Sequence, residues 1–151
     1  SGFNVRSTDV AASIGLSQFK DLDKFIKIRN INRKKIINQL EKNKKIRNKI
    51  FIIKENDGVK ASWFGIPIIL SKKINKKLFI KNIENKGIET RPIISGNFLK
   101  QPSVKKYNIK TNSKMKNADY INNFGFFIGL PTKTVPTLLI KKLVKVFEES
   151  V

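Results

Sequence analysis

The hydrophobic pattern of this chain changes period at Ile50, and that change limits the fold more than any other feature. Before it, apolar residues recur at helical spacing. Ser7, Thr8 or Asp9 can cap a first helix running to about Lys20, with Val10, Ile14 and Phe19 among its apolar positions. Ala11, Ala12, Ser13 and Gly15 are small, so another backbone can approach that helix closely, within the chain or from a second subunit. Asp21 and Asp23 open a second helix that extends to about Lys42, roughly 33 Å if unbroken. Its apolar positions are Leu22, Phe25, Ile26, Ile36, Ile37 and Leu40. The stretch from Arg29 to Lys35 is mostly polar, which predicts a crossing of solvent or of a subunit boundary.

Beyond Ile50 the runs shorten. Phe51-Ile52-Ile53 reads as a strand, Asn56-Asp57-Gly58 as a turn, and Ser62 to Leu70 as a second strand. Pro67 has no N–H to give a ladder and marks an edge or a bulge, and the strand aromatics Trp63 and Phe64 are expected in the core. Ile74 to Lys86 returns to helical spacing, with Phe79 and Ile83 on one face and Gly87 at its C-cap. Ile88 to Ile93 reads as a strand closed by Pro92, and 95–113 as a loop with a helical turn near Val104. Asn117 can cap a short helix through Asn123, before a strand at Phe126-Phe127-Ile128. Thr134 can cap a last helix with Pro136 in its first turn, where Leu139, Leu143, Val146 and Phe147 share a face. Two leading helices followed by strands alternating with helices predict an α/β (α+β) layer domain.

Composition bears on function chiefly through charge. The formal net charge is +21, which on its own suggests a nucleic-acid-binding module. However, the cations are 27 Lys against 5 Arg, and Lys, Asn and Ile make up 66 of the 151 residues. Those are residue types that A/T-rich codons favour. Proteins that clamp nucleic acid lean on Arg, whose fork pairs bidentately with phosphate and guanine. Spread over the helices, the lysines read as solvated surface, and nucleic acid is not the expected partner. No apolar run reaches membrane-spanning length, no disulfide is possible without Cys, and a zinc site is not expected without His or Cys. A cytoplasmic setting is expected.

No catalytic set is complete. Without His or Cys the usual nucleophile–base pairings are missing, and the carboxylates sit mostly at helix ends and turns without a distinct acid–base couple. There is no glycine-rich phosphate loop of either common type. Two stretches have anion chemistry. In Gly2-Phe3-Asn4-Val5-Arg6, Gly permits a tight turn, the Asn amide donates, and Arg offers a planar fork for phosphate or carboxylate; an ordinary solvated loop is the plain alternative. In Gly87 to Pro92, Arg91 stands at a strand end just before Ser95-Gly96-Asn97, and its plain alternative is a surface ion pair with a nearby Glu.

At these two stretches the sequence resembles a known family. The run Gly2-Phe3-Asn4-Val5-Arg6-Ser7-Thr8-Asp9 through Gln18 resembles a signature of DegT/StrS-type sugar aminotransferases. These are fold-type I enzymes that use pyridoxal phosphate on nucleotide-linked keto sugars. Ser62-Trp63-Phe64-Gly65, Thr90-Arg91-Pro92, Gly96-Asn97-Phe98, Asn117-Ala118-Asp119 and Phe126-Phe127-Ile128-Gly129 resemble the branch of 3-dehydratases. That branch removes the C3 hydroxyl from CDP- or GDP-linked 4-keto-6-deoxyhexoses.

The resemblance implies a C-terminal portion of such an enzyme of deoxysugar and lipopolysaccharide biosynthesis, with an aminotransferase of the same family as the alternative. It implies pyridoxal or pyridoxamine phosphate as cofactor, glutamate as amino donor, and a homodimer with shared active sites. Asn4 takes the role of reaching the cofactor phosphate in the partner subunit, and Arg6 lies near the same site. Arg91 and Asn97 take the roles of lining the sugar-nucleotide pocket. Residues 1–46 would be the end of the large-domain region with its connecting helix, and 47–151 the small α/β domain. The cofactor-bearing large domain is expected upstream, so this chain alone is expected to be inactive and to hold no catalytic or metal residue.

Overall fold

A computed structural model describes residues 8–111 and 113–151. Helix α1, Asp9–Phe19, starts where the sequence predicts, with the Thr8 hydroxyl oxygen accepting from the Ala11 N–H at 3.2 Å. Such a cap contributes about 1 kcal/mol. No residue of α1 is buried, and Val10, Ile14, Leu16 and Phe19 all face outward. Helix α2, Leu22–Lys42, divides along its length. Its C-terminal half buries Ile36, Ile37 and Leu40 in the core.

The polar middle of α2 does not cross solvent. Asn32 is wholly buried: its Nδ2 donates to the carbonyls of Pro131 at 3.2 Å and Lys133 at 2.8 Å, and its Oδ1 accepts from Val135 N–H at 3.0 Å. One amide satisfies three backbone groups of a distant loop, so a polar residue can replace water there.

Strands β1, Ile50–Ile52, and β2, Gly65–Leu70, come next, followed by α3, Lys76–Asn85, and β3, Thr90–Arg91. A 3-10 turn at Phe98–Lys100 leads to the short α4, Pro102–Lys106, and then to α5, Lys116–Phe124, β4, Gly125–Gly129, and α6, Thr137–Ser150. The four strands form one antiparallel sheet in the order β1-β2-β4-β3. Alternation puts Ile66, Ile68 and Leu70 of β2 and Phe126 and Ile128 of β4 on one buried face. Phe79 and Ile83 of α3, Ile140, Val146 and Phe147 of α6, and the end of α2 complete that core. Phe79 is its centre, 5.7 Å from the Phe126 ring and edge-to-face with Phe147 at 5.4 Å.

Several sequence expectations move. Pro67 lies in a central strand rather than at an edge or bulge. Its carbonyl accepts from Ile53 N–H at 3.3 Å, so its missing N–H faces the same residue, and the Ile53 carbonyl opposite takes a hydrogen bond from Arg33 Nη2 at 2.7 Å instead. Strand β2 begins at Gly65, so Trp63 and Phe64 precede it; Trp63 is half-buried and Phe64 is 63% exposed. Strand β3 keeps only two of the six residues read as extended. Asn117 and Thr134 are not caps: Met115 precedes α5 and Pro136 precedes α6, in each case without a side-chain cap bond. On α6, Leu139 is exposed and Ile140 takes the buried place.

Candidate functional site

Because side chains alternate across a strand, the register fixes what faces what. Thr90 pairs with Ile128 and Arg91 with Phe127, while Phe127 pairs with Pro67. Thr90 therefore points to the helical side, where its hydroxyl donates to Glu84 of α3. Arg91 points the other way, in one cross-strand row with Phe127 and Pro67. Phe64 stands edge-on against Phe127, ring centroids 5.3 Å apart at 81°. A groove of about 690 Å³ runs along this edge, lined by Phe64, Gly87, Glu89, Arg91, Phe127 and Leu130 among others.

Arg91 forms an ion pair with Glu89, the plain alternative that its spacing allowed. Both side chains are well exposed, 67% and 75%, so the pair orients the guanidinium without burying it. Enough of its fork remains open to water to accept an anion. An exposed aromatic ring, Phe64, and a half-buried one, Phe127, in the same groove as a cation make a surface that suits a ligand with a flat apolar part and a negative part. Glu89, Phe64 and Phe127 were not read as site residues from the sequence. The alternation of β4 would have placed Phe127 beside Arg91 had the register been known.

Asn97 occupies a different situation. It is 4% exposed, its Nδ2 donates to Asp119 Oδ1 at 2.9 Å, and its Oδ1 accepts from Leu99 N–H at 3.0 Å. Its own N–H donates to Asn122 Oδ1 at 3.3 Å. Lys100 reaches the same Asp119 oxygen at 2.7 Å. Together with Asn97, it holds the Asp119 carboxyl below its ordinary pKa. The structure thus ties Asn97 to α5, not to Arg91. Asn4 and Arg6 lie outside the described residues.

A second cluster anchors the segment before β2. Arg33 of α2 stacks over the Trp63 ring at 4.1 Å and donates from Nη2 to the Ile53 carbonyl at 2.7 Å. Trp63 Nε1 donates to Glu55 Oε1 at 2.6 Å, and Asn30 Nδ2 to the Ala61 carbonyl at 3.3 Å. Burial lowers the Arg33 pKa, with Glu55 and Glu41 working against that shift. The cluster fixes residues 53–63 on α2 and so sets where Phe64 enters the groove. Lysines lie on every helix after α1. Among the described residues no helix is long and apolar enough to cross a membrane.

With this geometry in place, residues 1–135 match the family described as DegT/DnrJ/EryC1/StrS aminotransferases. The GDP-4-keto-6-deoxy-D-mannose 3-dehydratase of Escherichia coli O55:H7 is 32% identical over 131 residues, which are 85% of this chain and 32% of that protein. The solved E. coli GDP-4-keto-6-deoxy-D-mannose-3-dehydratase with bound hydrated PLP gives a TM-score of 0.83 at 30% identity, over 97% of this chain and 36% of that one. A mutant GDP-4-keto-6-deoxymannose-3-dehydratase with bound GDP-perosamine also gives 0.83, at 29% identity, over 97% and 37% respectively. The chain spans about a third of the length of the curated relatives it matches.

Proposed function

This chain belongs to the DegT/DnrJ/EryC1/StrS aminotransferase family, and from that membership we propose that it is the small-domain side of a PLP-dependent enzyme of deoxysugar biosynthesis. Its fold is the one found in fold-type I PLP enzymes. The reaction we assign is removal of the C3 hydroxyl from a GDP-linked 4-keto-6-deoxyhexose. The observation that carries this is Arg91 beside Phe64 and Phe127 in an open groove, in a chain that superposes almost whole on a dehydratase holding a GDP-linked sugar.

In this reading residues 1–46 continue from the large-domain region and 47–151 form the small domain. Arg91 binds the diphosphate, Glu89 orients it, and Asn97 shapes the neighbouring loop. Asn4 reaches the cofactor phosphate of a partner subunit, with Arg6 beside it, in a homodimer with shared sites. Glutamate serves as amino donor, a reading supported by a 3-dehydratase relative solved with a trapped PLP-glutamate geminal diamine. The enzyme works in the cytoplasm.

In this reading the large domain of the intact enzyme holds most of the cofactor's seat. The lysine whose pKa burial lowers, Lys76, donates to the Asn122 carbonyl at 3.0 Å and ties α3 to the end of α5. No chemical step is therefore assigned to a group of this chain. When bound by the intact enzyme the cofactor supplies the electron sink, and this chain contributes binding and orientation of the sugar nucleotide.

A sugar-nucleotide aminotransferase is the second reading, favoured by the breadth of the family description. The test is complementation. The chain alone is expected to show no turnover and no stoichiometric cofactor absorbance; supplied with the large domain of a dehydratase relative, it is expected to restore C3 deoxygenation. Replacement of Arg91 by Lys should lower kcat/KM by at least about tenfold, since a point charge does not reproduce a bidentate fork. Stoichiometric cofactor attachment at one Lys of the isolated chain would overturn this assignment, and transamination in place of deoxygenation would favour the second reading.

A further inference from the structure

Gly87, Ile88, Gly129 and Pro131 border the groove that holds Arg91 and also border a second cavity, of about 320 Å³. That volume is within the range of small-molecule sites. Helix α6 supplies one wall: Leu139, Lys142, Leu143 and Val146 recur at the three- and four-residue spacing that puts them on one helix face. Another wall is the turn that ends α3. Gly87 N–H donates to the Glu84 carbonyl at 2.9 Å and Ile88 N–H to the Ile83 carbonyl at 3.1 Å. With Gly87 at a φ of 84°, these bonds close the helix end and hold Lys86 and Ile88 in place beside the cavity.

The two spaces differ in chemistry. The Arg91 groove has aromatic rings and the Glu89 carboxylate, whereas every side chain that lines the second cavity is aliphatic except those of Lys86 and Lys142. Among the described residues neither of these lysines has an ion pair. Glu149, which lines a neighbouring depression with Lys86, pairs with Lys145 at 3.9 Å. Aliphatic walls exclude water, so two uncompensated cations beside them attract an anion more strongly than the same cations on open surface. Lysine acts as a point charge and does not ask for the flat, bidentate partner that an arginine fork fits.

We propose that this cavity is a binding site for a small aliphatic carboxylate, with its hydrocarbon body between α6 and the Gly87 turn and its charge at Lys86 and Lys142. The site is separate from the Arg91 groove and does not rest on the nucleotide-sugar reading. The hydrocarbon supplies affinity, about fourfold for each methylene buried. The lysines supply the choice of sign, because a cationic head would meet two like charges.

The test titrates the 151-residue chain with decanoate, below the concentration at which it forms micelles, and follows backbone amide signals by NMR. Decanoate should shift the Gly87, Gly129 and Leu143 signals saturably, and acetate, which lacks the body, should not. Lys86→Glu combined with Lys142→Glu should weaken decanoate binding by at least about tenfold. Lys60→Glu combined with Lys110→Glu makes the same change in net charge away from the cavity and, in about 0.15 M salt, should alter binding by less than about twofold. All four lysines are exposed, so neither pair of changes should disturb the fold. Shifts confined to other surfaces, or no saturable shift, overturn the proposal. Equal losses in the two double variants overturn it by assigning the binding to net charge. Displacement of decanoate by GDP-mannose overturns it by making the cavity part of the Arg91 groove.

Discussion

The Asn32 side-chain oxygen accepts a hydrogen bond from the Val135 backbone N–H at 3.0 Å, across 103 residues of sequence. With its two donations to the Pro131 and Lys133 carbonyls, this amide fastens the middle of the long helix to the turn that carries the chain from β4 into α6. Asn32→Ala should therefore destabilise the fold by at least about 2 kcal/mol, because it strands three backbone groups in a buried place. Urea unfolding measures this. An equal midpoint for the variant and the parent would show that water replaces the amide without loss.

Two glycines with left-handed backbone should respond differently to a methyl group. Gly87, φ 84°, has open space around its missing Cβ, so Gly87→Ala should cost only the conformational term, about 1 kcal/mol. Gly96, φ 60°, carries the same term, and any Cβ there would also collide with the Asn122 amide. Gly96→Ala should be clearly the worse of the two in thermal unfolding, and the reverse order would mean that the α5 side chain gives way easily.

Acid should loosen the fold through two carboxylates. A hydrogen bond from Lys100, then one from Asn97, holds Asp119 below its ordinary pKa, and Lys45 followed by Asn43 does the same for Glu148. A folded-state pKa below the unfolded one contributes stability that is present above the unfolded value, about 4, and is lost as pH falls through it toward the folded value. Urea midpoints measured between pH 6 and pH 3 should therefore fall most steeply in the lower part of that range. The double variant Asp119→Asn, Glu148→Gln should show a flatter profile, and an unchanged slope would assign the acid response to other groups.

Arg91 should matter for binding and hardly at all for folding. Its ion pair with Glu89, the one it makes among the described residues, is exposed on both sides, so Arg91→Ala should shift stability by less than about 1 kcal/mol. The same change should abolish detectable binding of GDP-linked sugar to the chain. A large loss of stability with unchanged binding would make Arg91 a structural residue.

Much of the fold was legible because it rests on periodic signals. The spacing of Phe79 and Ile83, the alternation around Ile66, Ile68 and Ile128, and the Thr8 cap each follow from one local rule. Local rules failed where a distant partner supplies the missing group. Asn32 reads as solvated until the 131–135 loop is laid across it, and Pro67 reads as an edge residue until Arg33 is seen to bond the Ile53 carbonyl opposite it. Asn117 and Thr134 look like caps, but α5 starts one residue before Asn117 and α6 starts after Pro136, whose fixed backbone precedes its first turn.

For the site, the sequence by itself determined the chemistry available: an arginine at a strand end, an amide-rich loop after it, and motifs of a known enzyme family. Which of these groups reach the surface groove was decided only by the tertiary structure. Strand register turned Arg91 toward Phe127 and Phe64 and away from the core, and the approach of α5 drew Asn97 inward. Spacing along the chain specifies what a residue can do, and the side on which it does so depends on pairings between segments that no local pattern records.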